Sequence, residues 1–262
     1  MDGNDSFTKL LLHCDGADAG TTFINGAAGG SATVTAVGSA QIDTAQSVFG
    51  GAAALLEAAG NFLSCSASAD WNFGTGDFVV DFRARFVSTV VGAPDGNFDL
   101  MFVWSDDGTN NNVLYFLLDG TEVQFFAKTA GVTVAHYRTT HATVLNVWYH
   151  FAFVRSGSSF FIIKDGISQA LATTVAIGSN AMPDLSAHAM RVGGQTLPGP
   201  GWMDEVRISK GTDRGWTSNI TVPPAAYGHE IAAAAGSYAL TGVAAPLVPA
   251  MAEAAGSFSL AG

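Results

Sequence analysis

The chain has 262 residues, 48% of them hydrophobic and 18 of them Phe, so it can bury a sizeable core. Its formal net charge is -11, with a pI of about 4.7. That excess of carboxylates argues against nucleic acid or an anionic membrane as a partner, and leaves cations and neutral ligands such as sugars.

In chain order, residues 7–14 predict a first strand that ends at Asp15-Gly16, and the Gly-, Ala- and Ser-rich stretch 17–32 reads as loop. Short strands are expected at 33–37, 52–56 and 61–64, with Ser47-Val48-Phe49-Gly50-Gly51 leading into the second of these. Phe78–Phe86 alternates strictly: Phe78, Val80, Phe82, Ala84 and Phe86 form an apolar row, and Asp81, Arg83 and Arg85 a wet one. Strands follow at 100–104, 113–118, 122–127 and 132–137. Asp119-Gly120 joins the middle pair.

Trp148–Arg155 is apolar on both of its faces, which predicts a strand covered on both sides. It leads through Ser156–Ser159 into Phe160–Lys164. Asp165-Gly166 then forms a two-residue turn, whose type I′ geometry needs positive φ at both positions. The last strands are expected at 175–178, 189–193 and 202–209. No amphipathic helix of ordinary length appears, and more than ten short strands at near-regular spacing mean a sandwich or jelly roll.

Beyond residue 228 the composition changes. Residues 232–242 and 252–262 share seven of eleven positions at a spacing of twenty, and no Lys or Arg follows Arg214. Two such units cannot bury a core alone. The stretch 229–262 reads as an arm that adds strands to a neighbour, in preference to a disordered tail. Cys14 and Cys65 are too few for a disulfide framework and read as free, buried thiols. The N-terminus has neither the basic nor the apolar region of a secretory signal, so synthesis in the cytoplasm is expected. No run approaches the ~18 apolar residues of a membrane span.

Several motifs together carry a resemblance. They are Leu10-Leu11-Leu12-His13-Cys14-Asp15-Gly16, Phe49-Gly50-Gly51, Phe73-Gly74-Thr75-Gly76-Asp77-Phe78, Trp148–Arg155 with Lys164-Asp165-Gly166, and Gly201–Ser209. In order and spacing, over about residues 7–227, they resemble the concanavalin A-like, laminin-G-type jelly-roll domains of bacteriophage particle proteins. The resemblance implies an all-β, antiparallel sandwich over residues 1–228 with a repeat arm at 229–262. It further implies a virion structural protein, made in the host cytoplasm and placed on a tail fibre or tip or decorating the head. Its arm would make homo-oligomers, trimers among them, and contact other virion proteins, and its sandwich would adhere to host-surface glycans. The other reading is a carbohydrate-binding module, or a glycosidase-related domain, outside a virion.

Asp204 lies in the row of Trp202, Val206 and Ile208, so a carboxylate there needs a partner. An Arg or backbone N–H groups would serve. Calcium would also serve, and the resemblance implies that Asp15 could join Asp204 around it. Asp106–Asn112 lacks the closing Glu of an EF-hand and reads as a polar hairpin connection. His13 and His150 read as core histidines. Trp71, Trp104, Trp202 and Trp216 are candidate sugar-stacking platforms, with Trp104, beside the Asn-rich loop, the foremost; ordinary core packing is the alternative for each. The five glutamates, Glu57, Glu122, Glu205, Glu230 and Glu253, form no Glu-x-Asp-x-x-Glu strand, and no Gly-x-Ser-x-Gly elbow is present, so the chain reads as non-catalytic.

Overall fold

The computed structural model describes residues 3–87, 99–106, 108, 110–118, 121–194 and 201–228. The repeat arm expected at 229–262 and the Asp119-Gly120 turn lie outside the described residues.

Two antiparallel sheets face each other. The strands in chain order are β1 (Thr8–Leu12), β2 (Val34–Val37), β3 (Gln41–Asp43), β4 (Ala53–Leu55), β5 (Phe62–Cys65), β6 (Phe78–Phe86), β7 (Asp99–Ser105) and β8 (Val113–Leu118). They continue with β9 (Glu122–Thr129), β10 (Val132–Thr140), β11 (Trp148–Ser156), β12 (Ser159–Lys164), β13 (Ile167–Ser168), β14 (Ala172–Val175), β15 (Met190–Gly193) and β16 (Gly201–Lys210). The first sheet runs β13-β12-β11-β6-β16-β4-β3, with β1 also paired to β16. The second runs β14-β10-β9-β8-β7-β15-β5-β2. Among the described residues the one helical element is a 3-10 turn at Ala69–Trp71.

The interior is aromatic because alternate residues of β6, β11, β7 and β8 point inward. Phe82 of the first sheet meets Phe102 of the second with ring centroids 5.0 Å apart, and Phe153 meets Phe116 at 4.9 Å. Each ring is fully buried, and burial of this kind supplies most of the folding free energy. Cys14 and Cys65 are both free and buried, as their number implied.

Strand β11 is covered on both faces. Tyr149, Phe151 and Phe153 join the main core, while Ala152 and Val154 join a smaller cluster with Val79, Ile163, Trp216 and Ile220 on the outer face. Asp165 and Gly166 both take positive φ, +48° and +81°, and Lys164 pairs directly with Ile167 across the turn.

Two expectations are corrected, and one strand is added. The Asp81 row is not wet: Asp81 is fully buried, because residues 211–227 fold back over that face. Strand β14 ends at Val175 instead of starting there, since Ile177 is buried and its N–H donates to the Tyr137 hydroxyl at 2.7 Å. The short strand β3 lacks a period-two pattern long enough to read and exists because it pairs with β4.

Candidate functional site

The site grows from a change of partner along one strand. On one side β16 pairs with β6 throughout. On the other, Trp202 and Met203 pair with β4, and Val206–Ser209 pair with β1. Asp204 and Glu205 sit at the handover. There β16 carries a bulge, between the Asp204–Arg83 and Arg207–Asp81 pairs, with Glu205 at φ +49°. Cys14, just past the end of β1, is left-handed as well, at φ +58°. Glu205 and Cys14 are two of the eight non-glycine residues with positive φ among the described residues.

The bulge overturns the expected row. Met203, Val206 and Ile208 enter the core, and Asp204 is turned off it. Asp204 is fully buried nonetheless, and its partners are backbone groups. The N–H groups of Val48 and Phe49 donate to its Oδ2 at 2.7 and 3.1 Å, and that of Glu205 to its Oδ1 at 2.8 Å. Burial pushes its carboxyl up to about 7, assisted by the Glu205 charge and opposed by these N–H donors. Asp204 thus latches the 48–51 loop to the sheet.

Asp15 lies against that loop: a Cβ placed on Gly50, itself at φ +62°, would come within 1.8 Å of Asp15 Oδ1. Among the described residues its carboxylate accepts no hydrogen bond. Partial burial raises its pKa, while His13 pulls it down and Glu205 pushes it further up.

His13 completes the group. Its Nδ1 lies 2.6 Å from Glu205 Oε1, and that contact raises the imidazole pKa above its usual value, despite partial burial. Glu205 Oε2 accepts the Tyr227 N–H at 2.9 Å, so both of its oxygens are engaged. Beside Asp15 and His13 opens a cavity of about 220 Å³, lined also by Cys14, Phe23, Ile24 and Gly26. Ile24 is 75% exposed, an apolar wall facing two polar groups.

The structure therefore brings Asp15 and Asp204 to the same stretch, around the β16 bulge and the 48–51 loop, but turns them to different tasks. Calcium takes 6–8 oxygen ligands, and Asp204 has its oxygens facing N–H donors. Among the described residues no group of three or more His, Cys, Asp or Glu side chains is arranged to hold a metal ion. Asp204 does not fit a calcium cage in this arrangement.

Trp104 is corrected too. It is 1% exposed and packs against Trp71, Phe73, Phe102 and Phe116, so it offers no face to a sugar. The adjoining loop is a hairpin connection, with the buried Asp106 accepting the N–H groups of Gly108, Asn110 and Asn112. Trp71 is likewise core, whereas Trp202 and Trp216 remain half-buried. Sequence reasoning missed the pairing of His13 with Glu205. The adjacency of each to a singled-out aspartate was the only signal.

No protein-family model matches the chain, and no curated protein matches it in sequence. Solved structures do match. Domain 4 of AbnA, a GH43 extracellular arabinanase from Geobacillus stearothermophilus solved with arabinotriose, is 16% identical, with a TM-score of 0.55 over 80% of this chain and 97% of that domain. The binding domain of botulinum neurotoxin serotype D is 10% identical, with a TM-score of 0.58 over 80% of this chain and 50% of that one. Trypanosoma rangeli sialidase in complex with sialic acid is 11% identical, with a TM-score of 0.53 over 81% of this chain and 32% of that one. The chain thus spans half of the toxin binding domain and about a third of the sialidase. At these identities the shared property is the fold, and the chain is an antiparallel β-sandwich of the jelly-roll class.

Proposed function

We propose that the chain is a non-catalytic, carbohydrate-binding sandwich carried on a bacteriophage particle, on a tail fibre or tip or on the head, where it adheres to host-surface glycans. The observation that carries the binding reading is the pocket beside β1. Asp15, a carboxylate that accepts no hydrogen bond among the described residues, and a half-buried imidazole, His13, face the apolar wall of Phe23 and Ile24. A sugar ring presents that combination in reverse, with hydroxyls at its rim and C–H groups on its face. At about 220 Å³ the pocket lies below the ~300–1,000 Å³ of drug-sized sites and suits a single ring.

The non-catalytic reading rests on the carboxylates. Glu205 is tied to His13 and Tyr227, and Asp204 to three backbone N–H groups, and both are buried, so neither presents an oxygen to a bound sugar. The virion placement rests on the motif resemblance, and assembly with copies and other virion proteins is assigned to 229–262. A second reading, a carbohydrate-binding module outside a virion, draws on the likeness to nearly the whole of an arabinanase domain solved with arabinotriose.

A glycan array probed with the full chain and with Asp15→Asn tests the binding reading. Selective binding that weakens in the variant is expected. No glycan bound, or equal binding by both, overturns it.

A further inference from the structure

After β16 the chain folds back over the outer face of the first sheet. Trp216 and Ile220 pack on Val79, Ala152, Val154 and Ile163. The Ile220 N–H donates to Gly166 O at 2.8 Å, and Arg83 donates to Pro223 O at 2.7 Å. Tyr227 then reaches down through its hydroxyl to Asp81. The strap itself lines a cavity of about 540 Å³, and between it and Gly3, Asp5 and Phe7 lies a second of about 190 Å³. They share Arg214, Trp216, Pro223 and Tyr227, and so form one groove. The larger part falls within the ~300–1,000 Å³ of ligand sites, unlike the pocket at His13.

The charges of the groove decide what it would take. Arg214 Nη2 and Nη1 meet the two oxygens of Asp5 at 3.0 and 3.2 Å, and its Nε donates to Ser209 Oγ at 2.7 Å. Arg207, at the floor, donates from Nε to Asp81 at 2.8 Å. Each of these cations is already matched by a carboxylate, so an anionic ligand would gain little and would meet a chain of net charge -11. What is left for a ligand is the half-buried indole of Trp216, the exposed hydroxyl-bearing Thr221 and the Pro223-Pro224 surface. Arg207 Nη2, fully buried beneath, has no hydrogen-bond partner among the described residues.

We infer that this groove is a second binding site, separate from the pocket at His13, and that it takes an uncharged oligosaccharide. One sugar ring lies on the Trp216 indole, and a hydroxyl meets Thr221. At about 540 Å³ the larger cavity has room for more than one ring, which gives the sandwich a site for chain interior where the His13 pocket takes a single ring.

The test is chemical-shift mapping of the ¹⁵N-labelled full chain with arabinotriose, cellotriose and chitotriose, and with sialyllactose as the charged arm. Shifts are expected at the Trp216 indole N–H and across Thr221–Tyr227, with an affinity about tenfold weaker in Trp216→Ala. Because Trp216 also packs on the sheet, Ala225→Trp serves as the second variant. Ala225 is exposed on the groove wall, and the added indole should block binding with the melting temperature unchanged. Shifts confined to residues 13–26 would overturn the groove and leave the His13 pocket standing. Tighter binding of sialyllactose than of the neutral sugars would overturn the assigned ligand class. No shift with any of the four would overturn this inference.

Discussion

Asp81 Oδ1 and Arg207 Nε meet at 2.8 Å on the outer face of the first sheet, with both side chains almost wholly out of solvent. The pair is held from above by Tyr227, whose ring lies 3.7 Å from the guanidinium carbon and whose hydroxyl donates to Asp81 Oδ2. Residues from three distant parts of the chain thus close one charged cluster under the strap.

Removing one partner of such a buried pair leaves the other charge uncompensated, at about 3–5 kcal/mol. Asp81→Ala should destabilise the sandwich by that amount in urea unfolding. Burial raises the Asp81 carboxyl, but Arg207 and His150 outweigh it and hold the net value below the usual range. Its contribution is therefore present above 3.8 and lost as pH falls through the lower folded value. A loss under 1 kcal/mol would show the pair to be dispensable.

His13 and Asp204 have the opposite dependence. Glu205 raises the His13 pKa above 6.5, so its stabilisation is complete below 6.5 and is lost as pH rises through the folded value. Asp204 rises from 3.8 to about 7, so the native state binds the extra proton in that window and stability falls across it. The melting temperature should decline as pH rises from 3.8 to about 7 through Asp204 and go on declining above 6.5 through His13, and His13→Asn should flatten the part above 6.5. Parallel profiles for the two proteins would remove His13 from the account.

Trp104 is core, so Trp104→Ala should cost about 3–5 kcal/mol of stability and lower any glycan binding only in proportion to the unfolded fraction. Selective loss of binding by a fully folded variant would restore it as a ligand residue.

Calcium should leave the melting temperature unchanged, because the Asp204 oxygens already accept three N–H bonds. A rise in the presence of calcium that EDTA reverses would show that the 48–51 loop opens to admit the ion.

Deleting 229–262 should leave a folded sandwich with unchanged sheet circular dichroism, and should abolish self-association and incorporation into particles. Normal assembly of the truncated chain would remove the arm from the proposal.

Much of the sandwich was legible along the chain. Strand β6 needed only its alternation of Phe and Val with charged residues, and the β12–β13 turn needed only Asp165-Gly166, because both signals are local. The candidate site was half legible. Asp15 stood out at the end of a strand and Asp204 within an apolar row, but their partners did not, since Val48 lies 156 residues from Asp204 and Glu205 lies 192 from His13.

What the sequence by itself determined is the fold class, most of the strands and the register of the central meander, all consequences of a period-two side-chain pattern interrupted by turns. Only the tertiary structure decided which way the chemistry faces. One extra residue at Glu205 turns Asp204 off the core row, since any alternation counted through a bulge is wrong by one. The return of residues 211–227 buries Asp81 in a row that reads as wet, and the packing of two sheets encloses Trp104. Coverage depends on what lies across space, and no local pattern carries that information.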